Sequence, residues 1–478
     1  METQSNISFI LNDKTVHIDF VKTGIRPTIT VLEYLRGIAR RKGTKEGCAE
    51  GDCGACTVVV AELENQKLSY NAVNSCLIFL PQLHGRQLIT VEDLEKEGQP
   101  HPVQQAMIEN YGAQCGFCTP GMVMSLFALY KSNAAADREA VIEALVGNLC
   151  RCTGYRPIVD AGLKACAAPL PDCFSKNETG IADRLRKIQL STGDIALFSG
   201  GQKYFMPKRF SSALRIKKEY PKAILINGAT DIALLQTKQH KILREIIDLS
   251  QIGELKKIEM KDDCLTIGAG ATVEDIKEHP NDRFQALGNT ATRFGAKQIR
   301  LRATVGGNIA NASPVGDLIP VLMAYNAKIR YSSLDKETMT PIEDFITGYR
   351  KTILNAQEII RAVEIPVPKE NTIVASYKIS RREHLDISSV NAAFRIRLNK
   401  KNEVEDIGLF YGGMASAIKR ATKAERFLTG KKWTPENVRT ASKIAAECFS
   451  PVSDARSSAE ARQLMAANLL IKFRTETK

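Results

Sequence analysis

Residues 48–56 are Cys48-Ala49-Glu50-Gly51-Asp52-Cys53-Gly54-Ala55-Cys56, and a fourth cysteine, Cys76, follows after 19 more residues. The spacing C-x4-C-x2-C with a distant fourth cysteine is the ligand pattern of plant-type [2Fe–2S] clusters. Two irons bridged by sulfide need four thiolates in one small volume, and a tight loop plus a neighbouring strand end supplies them. We therefore predict an iron–sulfur cluster here, in preference to a zinc site or four unligated cysteines.

Three glycines, Gly47, Gly51 and Gly54, interrupt this loop. Glycine reaches positive φ without steric cost and lets the backbone approach closely. We expect these positions to turn the loop and to bring N–H groups near the cluster sulfurs, where they stabilise negative charge.

The flanking residues predict a small α+β unit that ends near Val91. Residues 5–21 alternate apolar and polar side chains about a turn at Asn12-Asp13, which predicts a hairpin. The capping-box pattern of residues 30–33 predicts a helix start, and residues 57–60 predict a buried strand.

A second cysteine set is formed by Cys115-x2-Cys118 and, 31 residues later, Cys150-x-Cys152. Pro102, Thr119-Pro120 and Asp137 each mark a helix start, so these four cysteines are predicted to lie at helix ends. The spacing favours a second iron–sulfur cluster, which would complete an electron path with the first. On spacing alone, zinc or no metal stays open.

Length and composition predict a globular protein with several domains. With 478 residues, 44% of them apolar, the chain is long enough for about three domains. It contains no apolar run of membrane-helix length and no secretory signal pattern at its start. We expect no membrane association and a cytoplasmic protein, in which twelve cysteines indicate metal ligands rather than disulfides.

Charge is distributed unevenly along the chain. Residues 1–170 carry a formal charge of −2 and residues 171–478 carry +15, which together give the net charge of +13. A basic region attracts anionic cofactors or nucleic acid. Aromatic residues make up only 6% of the chain and no basic stripe is interleaved with them, so no nucleic-acid partner is expected.

Two glycine-containing stretches of the basic region suit a pyrophosphate. One runs from Thr304 to Ile309 and includes Gly306-Gly307; such a glycine pair lets consecutive N–H groups face a phosphate. Two such stretches behind two clusters indicate FAD, since a flavin converts one-electron into hydride chemistry. The other stretch is Leu225-Ile226-Asn227-Gly228-Ala229-Thr230-Asp231-Ile232.

The combined motifs resemble those of the xanthine dehydrogenase family of molybdenum hydroxylases. The resemblance covers residues 5 to about 475 in the family's domain order, and it is weakest over the last 90 residues. The stretches that carry it are residues 48–56, Gln114–Gly121, Cys150–Tyr155, Thr304–Asn308 with Ala312–Pro314 and Asp317, and Phe345–Lys351.

The resemblance implies a multidomain α+β fold. It would comprise a β-grasp ferredoxin-like domain over residues 1–91, a helical [2Fe–2S] domain over 92–168, a linker over 169–200, a two-part α+β FAD-binding domain over 201–368 and a small α+β C-terminal flavoprotein domain over 369–478. It also implies FAD contacts, with Phe294 beside the isoalloxazine ring. These contacts are Leu225 to Ile232, Phe294, Thr304, Gly306, Gly307, Asn308, Asp317, Ile360 and Lys378.

The resemblance further implies a role in electron transfer for a xanthine dehydrogenase. Molybdopterin and the purine would lie on a separate large subunit, forming a heterodimer that assembles to a heterotetramer. Electrons would pass through both clusters to FAD and then to NAD+, and the residues predict no catalytic group for C–H activation in this chain. Two alternatives stay open: another molybdenum hydroxylase acting on an aldehyde or heterocycle, and a free-standing iron–sulfur flavoprotein reductase.

Overall fold

The structure is a computed structural model that describes residues 5–132, 135–191, 193–279 and 282–477. It is an α+β multidomain fold with separate mixed and antiparallel sheets, as predicted. Within these ranges, no helix has both the length and the apolar character needed to cross a bilayer. The chain forms two compact units: the first is Met1–Ile216, Lys222–Gln251 and Ala296–Arg302, and the second is Lys217–Pro221, Ile252–Gly295 and Ala303–Lys478.

A five-stranded ferredoxin-like sheet opens the first unit. Its strands are β1 (Asn6–Leu11), β2 (Lys14–Asp19), β3 (Thr57–Glu64), β4 (Lys67–Asn74) and β5 (Gln87–Ile89), in the order β2-β1-β5-β3-β4. The predicted hairpin is confirmed, with Leu11 paired to Lys14 across the turn. The first cysteine loop connects the helical segment after β2 to the buried strand β3.

The helical segments of this domain are short. Phe20–Thr23 follows β2, and Val31–Glu33 continues into a wider turn over Tyr34–Ile38. The predicted capping box is confirmed, because Thr30 Oγ1 accepts the Glu33 N–H at 3.1 Å and the Glu33 carboxylate accepts the Thr30 N–H at 2.8 Å. These two bonds satisfy N–H groups that have no partner within the helix.

Four helices form the region around the second cysteine set. Asp137 accepts the Ala140 N–H at 2.8 Å, which confirms the predicted cap, and Pro102 occupies a first-turn position where its missing N–H costs nothing. Phe127 and Ile158 are fully buried in their shared core. The helices are Pro102–Glu109, Thr119–Lys131, Arg138–Leu145 and Arg156–Cys166.

The predicted linker over 169–200 contains an 18-residue helix, Cys173–Leu190. This segment is packed against the rest of the unit, because Phe174, Ile181 and Leu185 are buried. Their spacing places them on one side of a helix. Asp172 caps it by accepting the Ser175 N–H at 2.7 Å.

A four-stranded sheet completes the first unit. Three of the four strands are parallel. Helices Phe210–Glu219 and Ala233–Thr237 lie between its strands in sequence. The strands are β6 (Ile195–Ser199), β7 (Gln202–Met206), β8 (Ile224–Ile226) and β9 (Glu245–Asp248), in the order β6-β7-β9-β8.

The second unit begins with a five-stranded antiparallel sheet and a separate two-stranded pair. The strands are β10 (Ile258–Lys261), β11 (Cys264–Gly268), β12 (Lys328–Ser332), β13 (Glu337–Pro341), β14 (Ile346–Gly348), β15 (Lys351–Thr352) and β16 (Ile359–Pro366). The sheet order is β10-β11-β16-β12-β13, and β14 pairs with β15. The helices between them are Val273–Glu278, Gln285–Thr292, Val305–Asn311, Leu318–Ala324 and Ile342–Phe345, while Lys297–Arg300 lies in the first unit.

An antiparallel sheet backed by helices ends the second unit. Its strands are β17 (Thr372–Ile379), β18 (Val390–Leu398), β19 (Val404–Gly412) and β20 (Lys419–Arg420), in sequential order. Helices Thr422–Leu428, Pro435–Glu447 and Ala459–Glu476 follow. Trp433 and Phe473 are buried in the core between this sheet and the helices.

Candidate electron-transfer site

The first cysteine loop turns at two of its three glycines. Gly51 and Gly54 have φ of +78° and +68°, as predicted, whereas Gly47 does not have a positive φ. The loop brings two N–H groups, those of Glu50 and Cys53, to 3.4 and 3.3 Å from Cys48 Sγ. The sulfur of a prospective iron ligand therefore accepts backbone hydrogen bonds, which stabilise a thiolate.

The four cysteines of this loop and strand end form two pairs. Cys56 and Cys76 are buried with their sulfurs 3.3 Å apart, and Cys48 is hydrogen-bonded to Cys53. The Cys53 thiol and the loop N–H groups outweigh burial and lower the pKa of Cys48 to about 5. The hydrogen bond with Cys76 likewise lowers the pKa of Cys56.

The second cysteine set also forms pairs. Cys118 lies beside Cys150 and Cys115 beside Cys152, and Cys115 and Cys152 are exposed. Burial and the neighbouring Cys150 raise the pKa of Cys118 to about 12. Burial alone would raise the pKa of Cys150 as well, but hydrogen bonds with Thr153 lower it.

The paired sulfurs of each set fit a binuclear cluster. A [2Fe–2S] cluster is held by four cysteine thiolates shared between two irons. Two pairs of cysteines per set fit that requirement.

Of the second set only Cys118 lies at a helix end, as predicted, whereas Cys115, Cys150 and Cys152 lie in the loops between helices. The helix begins at Thr119 with Pro120 in its first turn, but Cys118 rather than Thr119 occupies the capping position. The predicted helix start is confirmed, and the buried Thr119 hydroxyl has no hydrogen-bond partner in the described structure.

The two cysteine sets are connected by direct backbone contact. The Leu149 N–H donates to the carbonyl oxygen of Cys53 at 3.0 Å, and Leu149 directly precedes Cys150. Gly121 and Gly54 approach so closely that a Cβ on Gly121 would collide with the Gly54 carbonyl oxygen. One cysteine of each set is thus fixed relative to the other.

A buried amide, Asn148, holds this contact, and sequence reasoning missed it. Its side-chain nitrogen donates to Gly54 O at 3.0 Å and to Thr57 Oγ1 at 3.1 Å. Its oxygen accepts from Ser125 Oγ at 2.6 Å and from Gln298 Nε2 at 2.9 Å. Asn148 is 2% exposed and saturated, so it rigidifies the contact between the two loops.

Lys238 is a second residue that the motifs did not indicate. Its Nζ lies 3.1 Å from Cys48 O and 3.4 Å from a Glu50 carboxylate oxygen. Lys238 follows helix Ala233–Thr237, which comes directly after the predicted pyrophosphate stretch Leu225–Ile232. The positive charge of Lys238, which belongs to the basic region of the sequence, therefore lies beside the first cysteine loop.

The Leu225–Ile232 stretch packs on the ferredoxin-like domain within the first unit. Asn227 O accepts a hydrogen bond from Gln82 Nε2 at 2.7 Å, and Ile226 and Ala229 join the core that contains Cys56 and Cys76. The positive φ of this turn, +60°, falls on Ala229 rather than on a glycine. Packing therefore stabilises this turn, which does not use the conformational freedom of a glycine.

The other glycine-containing stretch differs from our expectation. Thr304 caps helix Val305–Asn311, the Gly307 N–H donates to Thr304 Oγ1 at 3.1 Å, and the Gly306 N–H donates to Ala269 O at 2.9 Å. Both amides are occupied, so the predicted pair of N–H groups facing a phosphate is wrong. Gly306 is required by the close approach of Ala269, where a Cβ would clash.

Two predicted flavin residues of the second unit meet directly. Lys378 Nζ lies 2.7 Å from Asp317 Oδ2 and donates to the carbonyl oxygen of Arg293 at 3.0 Å, next to Phe294. Ile360 lies on β16 and is 5% exposed. Arg293 Nε and Asn308 Oδ1 are buried without a hydrogen-bond partner in the described structure, so polar groups are available to a bound cofactor.

Four family models match consecutive parts of this chain. They are a 2Fe-2S iron-sulfur cluster binding domain over residues 11–80, a [2Fe-2S] binding domain over 90–163, an FAD binding domain in molybdopterin dehydrogenase over 198–368 and a CO dehydrogenase flavoprotein C-terminal domain over 375–477.

Curated relatives match nearly the whole chain. The xanthine dehydrogenase of Emericella nidulans is 36% identical over 490 residues, covering 91% of this chain and 36% of the relative. Xanthine dehydrogenase 1 of Arabidopsis thaliana is 32% identical over 486 residues, covering 87% and 36%. The xanthine dehydrogenase/oxidase of Gallus gallus is 30% identical over 519 residues, covering 93% and 38%. The chain spans a little over a third of the length of these relatives.

Solved structures share the fold of part of the chain. A chain of carbon monoxide dehydrogenase from Hydrogenophaga pseudoflava matches with a TM-score of 0.53 and 24% identity, covering 56% of this chain and 94% of that one. Quinoline 2-oxidoreductase from Pseudomonas putida 86 matches with a TM-score of 0.53 and 23% identity, covering 57% and 95%.

Proposed function

Because the chain belongs to the xanthine dehydrogenase family of molybdenum hydroxylases, carrying its iron–sulfur and flavin domains, we propose that it is the electron-transfer part of a xanthine dehydrogenase. Two [2Fe–2S] clusters and FAD, when bound, would carry electrons singly from a molybdenum site on a large partner subunit and deliver them to NAD+ as hydride. Hypoxanthine and xanthine are the substrates proposed for the whole enzyme, which the chain would form as a heterodimer assembling to a heterotetramer.

The observation that carries this proposal is the hydrogen bond between Leu149 and Cys53. It joins the backbone beside one prospective ligand of the second set to a prospective ligand of the first. Two metal sites that act separately would not need such contact. The rate of electron transfer falls steeply with distance, so an electron path between the sites benefits from it. Asn148 keeps the two loops in this arrangement through four side-chain bonds.

Individual cofactor residues are proposed as predicted. The eight cysteines would hold the clusters: Cys48, Cys53, Cys56 and Cys76 the first, and Cys115, Cys118, Cys150 and Cys152 the second. The flavin contacts proposed in the second unit are Phe294, Thr304, Asn308, Asp317, Ile360 and Lys378, without the amides of Gly306 and Gly307, which the protein itself occupies; Leu225–Ile232 is proposed in the first. Asp317 and Lys378 support this assignment best, because they form one buried ion pair.

The names of the relatives favour a purine over other substrates. The relatives at 30–36% identity are xanthine dehydrogenases, whereas the quinoline and carbon monoxide enzymes share only the fold. No residue of this chain needs to touch the substrate, so the assignment depends on the partner.

Affinity purification of the chain from its native source tests the proposal. We expect a molybdenum-containing chain to co-purify, and the complex to reduce NAD+ with xanthine faster than with an aldehyde or quinoline. A preference for one of the latter two would contradict the purine assignment. Recovery of the chain without a molybdenum partner, with NADH–dye reductase activity intact, would instead support a free-standing reductase.

A further inference from the structure

A buried polar cluster surrounds the carboxylate of Asp317 in the second unit. Asp317 Oδ1 accepts hydrogen bonds from Ser388 Oγ at 2.6 Å and from Asn391 Nδ2 at 3.1 Å, while Oδ2 pairs with Lys378. Ser388 and Asn391 are 0% and 3% exposed. Neither belongs to the motifs that predicted the flavin residues.

Asn391 fixes the turn that presents Asp317. Besides the carboxylate, its Nδ2 donates to the carbonyl oxygen of Gly316 at 3.1 Å. Asp317 in turn starts helix Leu318–Ala324. The amide of Asn391 thus determines both the backbone of this turn and the direction of the carboxylate.

The strand opposite Asn391 is shaped to this amide. Asn391 on β18 pairs with Gly412 on β19, and a Cβ on Gly412 would collide with Asn391 Oδ1. Gly412 does not have a positive φ, so glycine is required here by space and not by backbone conformation. An alanine at this position must displace the Asn391 side chain.

We propose that Asn391 and Ser388 are positioning residues for the flavin, a proposal that rests on the proposed function. They hold the Asp317 carboxylate in one orientation beside Lys378, so that both charged groups are set before the cofactor binds. Hydrogen bonds to a charged partner are about twice as strong as neutral ones, and preorganisation reduces the cost of ordering on binding. A cavity of about 40 Å³ adjoins the cluster and is lined by Arg293, Asp317, Lys378 and Asn391 among others.

Measuring the dissociation constant of FAD from single variants tests this proposal. Ser388→Ala and Asn391→Ala are each expected to weaken FAD binding by about tenfold, as loss of a hydrogen bond to a charged group predicts. Ser388→Thr keeps the hydroxyl and should retain most of the affinity. Ser376 lines the same cavity, but its hydroxyl donates to Ala286 O at 2.9 Å instead of to Asp317. Ser376→Ala is therefore the matched control.

A double-variant cycle separates positioning from general destabilisation. Gly412→Ala alone should weaken FAD binding about as much as Asn391→Ala, because it displaces the same amide. In the Asn391→Ala background the collision with the amide is removed, and the flexible end of Ile418, 2.7 Å from the added Cβ, can rotate away, so Gly412→Ala should weaken binding no further. Thermal unfolding and iron content of each variant show whether it is folded.

The outcomes distinguish this proposal from the proposed function. If the unaltered chain binds no FAD, the proposed function fails. If it binds FAD while Ser388→Ala and Asn391→Ala bind it equally tightly, or if Ser376→Ala is impaired to the same extent, only the positioning role is overturned. Additive losses from Gly412→Ala and Asn391→Ala would also contradict it.

Discussion

The Leu149 N–H donates a 3.0 Å hydrogen bond to the carbonyl oxygen of Cys53, so the segment that leads into the second cysteine set is bonded to the first. This contact spans almost a hundred residues of sequence. It fixes the backbone beside one prospective cluster relative to the backbone of the other.

Iron content should fall by half when either cysteine set is altered. The unaltered chain, purified anaerobically, should hold about four irons and four sulfides. Cys115→Ser should leave about two irons and remove one of two paramagnetic signals in the reduced protein, and Cys76→Ser should remove the other. Cys264→Ser, outside both sets, is the control and should change neither. Zinc in place of half the iron would contradict the second cluster.

Removing the Asn148 amide should destabilise the first unit. Asn148→Ala leaves buried groups of Gly54, Thr57, Ser125 and Gln298 without this partner, which is expected to cost at least ~2 kcal/mol of unfolding free energy. Asn437→Ala, which removes only an exposed bond to Lys432 O, should cost less than about 1 kcal/mol. Urea unfolding of both variants checks this, and equal losses would contradict a special role for Asn148.

Acid should destabilise the ferredoxin-like domain through His84. Burial, with the nearby Lys208 and Arg86, lowers the pKa of this imidazole to about 4. The unfolded chain therefore binds a proton below about pH 6.5 that the folded chain excludes, and stability falls as pH decreases from 6.5 to 4, by up to ~1.4 kcal/mol per pH unit.

The matched variants for this pH effect are His84→Asn and His17→Asn. An asparagine oxygen can still accept the Ser8 N–H that His84 Nδ1 accepts at 3.1 Å, but it does not titrate. His84→Asn should flatten the fall in melting temperature between pH 7 and 5, whereas His17→Asn at an exposed site should follow the unaltered chain. Parallel curves for all three proteins would refute the assignment.

The charge of Lys238 should influence the reduction potential of the first cluster. Lys238→Met removes a positive charge beside Cys48 O and leaves Glu50 unpaired, so the potential should become more negative. Glu50→Gln should shift it in the opposite direction. Both effects should be modest, because the pair is partly exposed and screened by solvent. Redox titration followed by paramagnetic resonance measures this, with Lys203→Met, paired with Glu245, as the control.

Local signals predicted much of this molecule. The hairpin at Asn12-Asp13, the Thr30 capping box and the Asp137 cap depend on neighbouring residues, and all three are confirmed. The cysteine spacing predicted two sets, and the structure gathers each set into pairs.

Contacts between distant segments escaped prediction. Gln298 is hydrogen-bonded to Asn148, 150 residues away in sequence, and Lys238 to Cys48, 190 residues away. No local sequence pattern predicts either bond. Helix Cys173–Leu190 lies within the predicted linker: Pro169 and Pro171 precede its Asp172 cap, and Gly180 within it is exposed. Gly306 suggested a phosphate site, but its small size serves contact with Ala269.

The most direct test of the electron-transfer role is a comparison of flavin reduction in the assembled enzyme with and without the second cluster. In the unaltered complex, anaerobic xanthine and NADH should each reduce the FAD, as followed by its absorbance. In a Cys115→Ser complex that retains molybdenum, NADH should still reduce the FAD at the original rate, whereas xanthine should not. Reduction of the FAD by xanthine at the original rate in that variant would contradict the account.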